Sequence, residues 1–193
     1  MNPTLMLILN YLLFQAAWFA CVLGGANGHP WFGSGVALLV ILLHLSLVPR
    51  PGREATLVVL VGLLGALLDS LLVSLGWLDF PSGQLLPGTA PHWIIAMWMA
   101  FATVLNVSLG WLRGRYRLAA LLGGVAGPLA YYAGAELGGV QLGAEPWLAL
   151  AGVGLNWALA MPLVILLASR FDGVETDPGH ALPSGSATAG RPG

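Results

Sequence analysis

Asp69 and Glu136 are carboxylates set inside otherwise apolar stretches of the chain, and His92 opens a third such stretch. An ionisable group costs about 2.5 kcal/mol or more to insert into a membrane span, so its presence there is by default a sign of function. Together the three types can move protons: an imidazole titrates near neutrality and serves as general base, and a carboxyl serves as an acid or as the group that orients the base. Asp69, His92 and Glu136 are therefore the candidate catalytic residues. The competing reading is structural, because a carboxyl in a bundle can also hold helices together through hydrogen bonds.

Other polar and aromatic residues recur at helical steps. Tyr11, Gln15 and Trp18 share one face, as do Tyr132 and Glu136, and His92, Ala96, Met99, Thr103 and Asn106 form a stripe spaced by four, three, four and three. Such faces either bond across helices or line a pocket. Gln15, Trp18, Trp93, Asn106 and Tyr132 are the expected ligand-binding residues, and Asn10, His44 and Asn156 extend the set into an internal polar seam. Catalytic templates fit poorly. Gly33, Ser34 and Gly35 match the glycine–serine spacing of rhomboid proteases, but no partner histidine lies in the last apolar stretch. Zinc-protease and phosphate-loop patterns are absent, no cofactor is indicated, and no metal site is expected, because the lone Cys21 supports neither a disulfide nor a thiolate cage.

Positioning these residues falls to helices in a membrane. Of 193 residues, 58% are hydrophobic and only 8% are charged, far below the roughly 25% of a soluble domain. Six runs approach the length of about 20 apolar residues that a bilayer core demands: 3–24, 33–48, 55–77, 91–112, 118–140 and 147–169. Helix is the assignment because lipid cannot satisfy an open backbone. The expected fold is an all-α, six-transmembrane-helix bundle over residues 1–170, followed by a disordered cytoplasmic tail over 171–193, rich in Gly, Pro, Ser and Thr.

All seven basic residues are arginines, at 50, 53, 113, 115, 117, 170 and 191. Six spans with both termini in the cytoplasm put every one inside, as basic residues near span ends prefer. Asp69, His92 and Glu136 then gather in the outer half. Trp31, Trp77, Trp93 and Trp147 fall at the outer interface and Trp111 at the inner one. Seven scattered arginines make no nucleic-acid footprint. Small residues mark close helix contacts: Gly123 and Gly127, then Gly134 and Gly138, in span five; Gly62, Ala66 and Gly76 with Asp69 in span three; Ala16, Ala20 and Gly24 in span one. Pro128 and Pro162 should kink or open their spans.

NYLLFQAAWFACVLGGA at 10–26, the pair Asp69 and Ser70 followed by LGWLDFP, PHWIIAMWMAFATVLNVSLGWL at 91–112 and GPLAYYAGAELG at 127–138 together resemble the DUF2878 family of uncharacterised bacterial inner-membrane proteins. The resemblance covers about residues 8–170. It implies a bacterial inner-membrane location, and a lipid-related role, since genes of the family often lie beside genes for fatty-acid and phospholipid modification. The expectation is a protein that binds or helps modify a lipid or other amphipathic molecule at a polar site in the outer half. Its partners would be membrane lipid and lipid-modifying membrane enzymes. Two alternatives stay open: a small-molecule transporter or its substrate-binding subunit, and a scaffold for lipid-modifying enzymes.

Overall fold

The structure, a computed structural model, describes residues 3–175. Its main elements are six α-helices: α1 (Pro3–Ala26), α2 (Pro30–Leu47), α3 (Pro51–Ser74), α4 (His92–Leu105), α5 (Tyr116–Glu136) and α6 (Pro146–Arg170). Five of them are long and apolar enough to cross a membrane. Pro30, Pro51 and Pro146 stand in the first turns of α2, α3 and α6, where a missing N–H costs nothing and φ is already helical.

α4 departs from the expected span. It stops at Leu105 after 14 residues, about 21 Å of rise, instead of continuing to residue 112. The reason lies at Asn106, whose side chain is drawn into polar partners described below. Turns over 106–109 and a 3-10 turn at Gly110–Leu112 follow. Their backbone stays satisfied, with the Leu109 N–H on the Val104 carbonyl at 2.8 Å and the Leu112 N–H on the Leu109 carbonyl at 2.9 Å. Non-helical backbone at membrane depth is tolerated where protein surrounds it. α4 meets that condition, packing against α1, α2, α3 and α6 with Trp93, Ile94, Trp98, Ala100, Ala102, Val104 and Leu105 buried. It is the central helix, flanked by the hairpins α1–α2 and α5–α6.

Hydrogen bonds tie the arginine-bearing connections to one another at one end of the bundle. At the opposite, arginine-free end, α3 and α5 terminate in the same way. Gly76 (φ +69°) and Gly138 (φ +81°) take the left-handed conformation, and the Trp77 and Gly139 N–H groups reach back to the carbonyls of Leu72 and Gly134. Each turn launches a two-residue strand, β1 (Leu78–Asp79) and β2 (Gln141–Leu142). The strands pair antiparallel with Leu78 opposite Leu142, lacing the two long connections together.

Small residues set the helix spacing. A Cβ on Gly123 would lie 2.4 Å from the Trp157 carbonyl oxygen, and one on Gly127 would enter the Trp157 ring, so this pair is the contact between α5 and α6. The second pair behaves otherwise, since Gly134 faces Val140 of the following connection and Gly138 makes the turn. In α3 the side packed on α4 is made by Gly62 against Met99 and Gly65 against Trp98. Ala17, Cys21 and Gly24, not Ala16, form the buried side of α1, and Gly33 of α2 rests on Cys21 there. α5 continues through Pro128, where the freed Gly124 carbonyl meets the close approach of Gly154 from α6.

Candidate functional site

The three candidate catalytic residues occupy three separate surroundings. Asp69 is fully buried between α3, α4 and α5. One carboxylate oxygen accepts the Trp98 indole N–H at 2.7 Å and the other accepts the Tyr131 hydroxyl at 2.6 Å. His92 lies half-buried at the start of α4, its Nδ1 2.7 Å from the Ser34 hydroxyl and its ring stacked on Trp31 at 4.0 Å. Glu136 is exposed at the end of α5. Among the described residues no hydrogen bond or ion pair joins any two of Asp69, His92 and Glu136.

The fold builds an aromatic cleft of about 550 Å³ framed by α1, α4, α5 and α6. Phe14, Trp18, Trp93, Trp98, Tyr131 and Trp157 are among the residues that line it. Trp98 and Trp157 stack at 4.4 Å and 15°, and Phe101 meets both rings edge-on. Asp69 stands behind this wall: the N–H and O–H it accepts belong to Trp98 and Tyr131, two of the wall's own residues. It sets their rotamers and presents no free oxygen to the cleft. Gln15 lines the cleft from the middle of α1, and its amide has no hydrogen-bond partner among the described residues.

Of the expected ligand-binding residues, Gln15, Trp18 and Trp93 therefore share this cleft. Trp93 was expected at the outer interface and is instead a core residue with no exposed surface, donating its indole N–H to the Ser82 carbonyl at 2.9 Å. Tyr132 is 51% exposed and turned away from the cleft. Its neighbour Tyr131 is the inward one, and the reason is angular: adjacent residues point about 100° apart on a helix, so a stripe assigned through Glu136 selects the wrong tyrosine. Trp31, Trp147 and Trp111 are exposed, as ring anchors at a membrane surface would be.

Asn106 lies at the arginine end, not in the outer half. There Glu54, fully buried in the first turn of α3, binds His44 Nε2 at 2.9 Å through one oxygen. Its other oxygen accepts the Asn106 amide at 2.7 Å and the Gly173 backbone N–H at 2.9 Å. Arg113 bridges Asn106 to Asp172, at 3.0 and 2.8 Å. The Arg50 N–H donates to the Gly173 carbonyl at 3.0 Å. The sequence reading singles out no role for Glu54 and expects a disordered tail over 171–193, whereas residues 171–175 continue into the bundle and close its arginine end. Residues 176–193, including His180, lie outside the described residues. A partial signal was present in the chain: His44 and Glu54 flank the Pro49–Arg50–Pro51 corner, near enough in sequence to meet across it. Asp172 is held below the ordinary carboxylate range. Partial burial opposes its charge, but the N–H groups of Glu175 and Val174 and the Arg113 guanidinium outweigh that.

Five helices long enough to span, a sixth buried among them and an uncharged aromatic cleft define a polytopic helical membrane protein. Residues 7–163 match the model of the family described as protein of unknown function, DUF2878, and the chain belongs to that family. No curated protein and no solved structure matches it.

Proposed function

We propose that the protein binds one lipid-phase amphipathic molecule, an acyl or isoprenoid chain carrying a hydrogen-bonding group, in the aromatic cleft. The observation that carries this reading is the Gln15 amide, without a partner among the described residues and set in an apolar wall. Lipid tails are as apolar as the wall, so burial by itself gives a chain no reason to leave the bilayer. Ring packing and a bond to an amide do. A volume of about 550 Å³ falls within the usual range for small-molecule sites. Asp69 supports the site indirectly, by fixing Trp98 and Tyr131.

The same reading puts the protein in a bacterial inner membrane with both termini in the cytoplasm. Its support is the arginine distribution, with the connections near Asn27, Ser82 and Gly143 containing none.

The test is native mass spectrometry with lipid extraction on the full chain purified in mild detergent. A retained lipid-phase molecule is expected. Ala130→Trp, which fills the cleft, should abolish retention, and Gln15→Leu should lower it about 2- to 10-fold, the worth of one amide hydrogen bond. An empty wild-type protein, or an Ala130→Trp variant that retains the same molecule, would overturn the proposal.

A further inference from the structure

We infer that Ser34 and His92 form a nucleophilic dyad for acyl-ester chemistry at the arginine-free surface of the membrane. The inference does not rest on the cleft, whose lining contains neither residue. The Ser34 hydroxyl lies 2.7 Å from His92 Nδ1, while its local alternative, the Pro30 carbonyl one turn back, is 3.5 Å away. The hydroxyl is thus committed to the imidazole and not to its own helix. Two contacts fix the ring and the start of the helix that carries it. Trp31 of α2 stacks on the ring at 4.0 Å and 24°. The His92 backbone N–H donates to the Gly83 carbonyl at 3.0 Å, tying the start of α4 to the connection before it. The ring's other nitrogen, Nε2, is buried without a partner among the described residues. A base within hydrogen-bond reach of a hydroxyl, itself oriented by further contacts, is the arrangement that activates serine.

Depth identifies the substrate class. Ser34 lies four residues, about 6 Å of helix, inside the tip of α2. Trp31 and Phe32 at that tip are 69% and 65% exposed, where aromatic rings mark the membrane interface. The hydroxyl therefore stands at the boundary between hydrocarbon and headgroups, the level of the ester bonds of membrane lipids. Trp31, the ring stacked on His92, also borders an open depression of about 650 Å³ lined by Leu23, His29, Pro30 and Phe32 among others; neither Ser34 nor His92 lines it.

The chemistry balances without a redox partner. With the imidazole proton on Nε2, Nδ1 takes the Ser34 proton as Oγ bonds to the ester carbonyl carbon. The ester C–O bond then breaks, and the proton on Nδ1 passes to the departing alcohol oxygen, leaving acyl-Ser34 and a lyso-lipid. Water or a second alcohol gives its proton to Nδ1 and takes the acyl group, and the proton returns to Ser34 Oγ.

The full chain, reconstituted in nanodiscs of phosphatidylethanolamine and phosphatidylglycerol, should react with a fluorophosphonate probe. Intact mass and peptide mapping should find one adduct, on Ser34. Ser34→Ala should give none, and His92→Gln should slow labelling by about 100-fold or more with an unchanged melting profile. Ser169→Ala, at the other end of the molecule, should label like wild type. A serine that merely satisfies a histidine gives folded protein and no adduct. That result, an adduct elsewhere, or His92→Gln labelling at the wild-type rate would overturn the inference. If Ser34→Ala fails to fold, the adduct map of the wild type decides alone. Loss of lipid retention in the cleft with intact Ser34 labelling would sink the binding proposal and spare this one.

Discussion

Asp69 illustrates how a functional-looking residue earns its place by holding others. Its carboxylate has two oxygens and two donors, Trp98 and Tyr131, and both donors come from helices other than its own. Asp69→Leu strands an indole N–H and a phenol O–H in a dry interior, at about 1–3 kcal/mol each. Asp69→Asn keeps one acceptor oxygen, and the phenol can rotate to meet the new amide donor, so it should cost about half as much. Melting in detergent, followed by tryptophan fluorescence, should rank wild type, Asn and Leu in that order. A Leu variant as stable as wild type would remove Asp69 from the structural account. The residue was legible in the chain as a costly intramembrane carboxylate, but its partners were not, because Trp98 lies 29 positions away and Tyr131 lies 62.

Among the elements, the arginine end of the bundle depends on a few residues past the last helix. α6 stops at Arg170, and Asp172 then receives the backbone N–H groups of Val174 and Glu175 and an ion pair from Arg113 at 2.8 Å. Gly173 fits only without a side chain, since a Cβ there would lie 2.4 Å from the Arg50 carbonyl oxygen. A carboxyl whose pKa is lower folded than unfolded binds fewer protons in the folded state over the interval between the two values. Its stabilisation is complete above the ordinary carboxylate range and is lost as pH falls through the depressed value. Wild type should therefore lose stability on acidification below about pH 4, while Asp172→Asn should be less stable at neutral pH and flatter across that interval. Limited proteolysis between Arg170 and Glu175, read against pH, checks both halves. Equal acid sensitivity in the Asn variant would assign it to other carboxyls. Composition pointed to a free tail here, because Asp and Gly in a Gly- and Pro-rich stretch usually mean solvent; the acceptor that captures the Gly173 N–H is Glu54, 119 positions earlier.

For the whole molecule, arginine placement and helix direction make one statement about orientation. Leu86 is exposed in the connection between α3 and α4, and Gly52 sits at the start of α3 with open space around its Cα. With the buried Cys21 replaced by alanine, Leu86→Cys should react with an impermeant thiol reagent in intact cells, and Gly52→Cys should react only after lysis. The reverse pattern inverts the orientation. Helix number, helical class and the grouping of arginines at one end were all readable from the chain. Each follows from local transfer free energy: a run of apolar residues partitions into lipid whatever its neighbours do, and prolines and glycines mark its ends by their own backbone limits. The family resemblance read from four separated blocks agrees with the match over residues 7–163. The length of α4, the inward turn of Tyr131 rather than Tyr132, the burial of Glu54 and the meeting of Ser34 with His92 were decided only in three dimensions. A lone polar residue in a span looks alike whether it faces lipid, a cleft or a hydrogen-bond donor, and the free energy that separates these cases comes from partners that distant parts of the chain deliver.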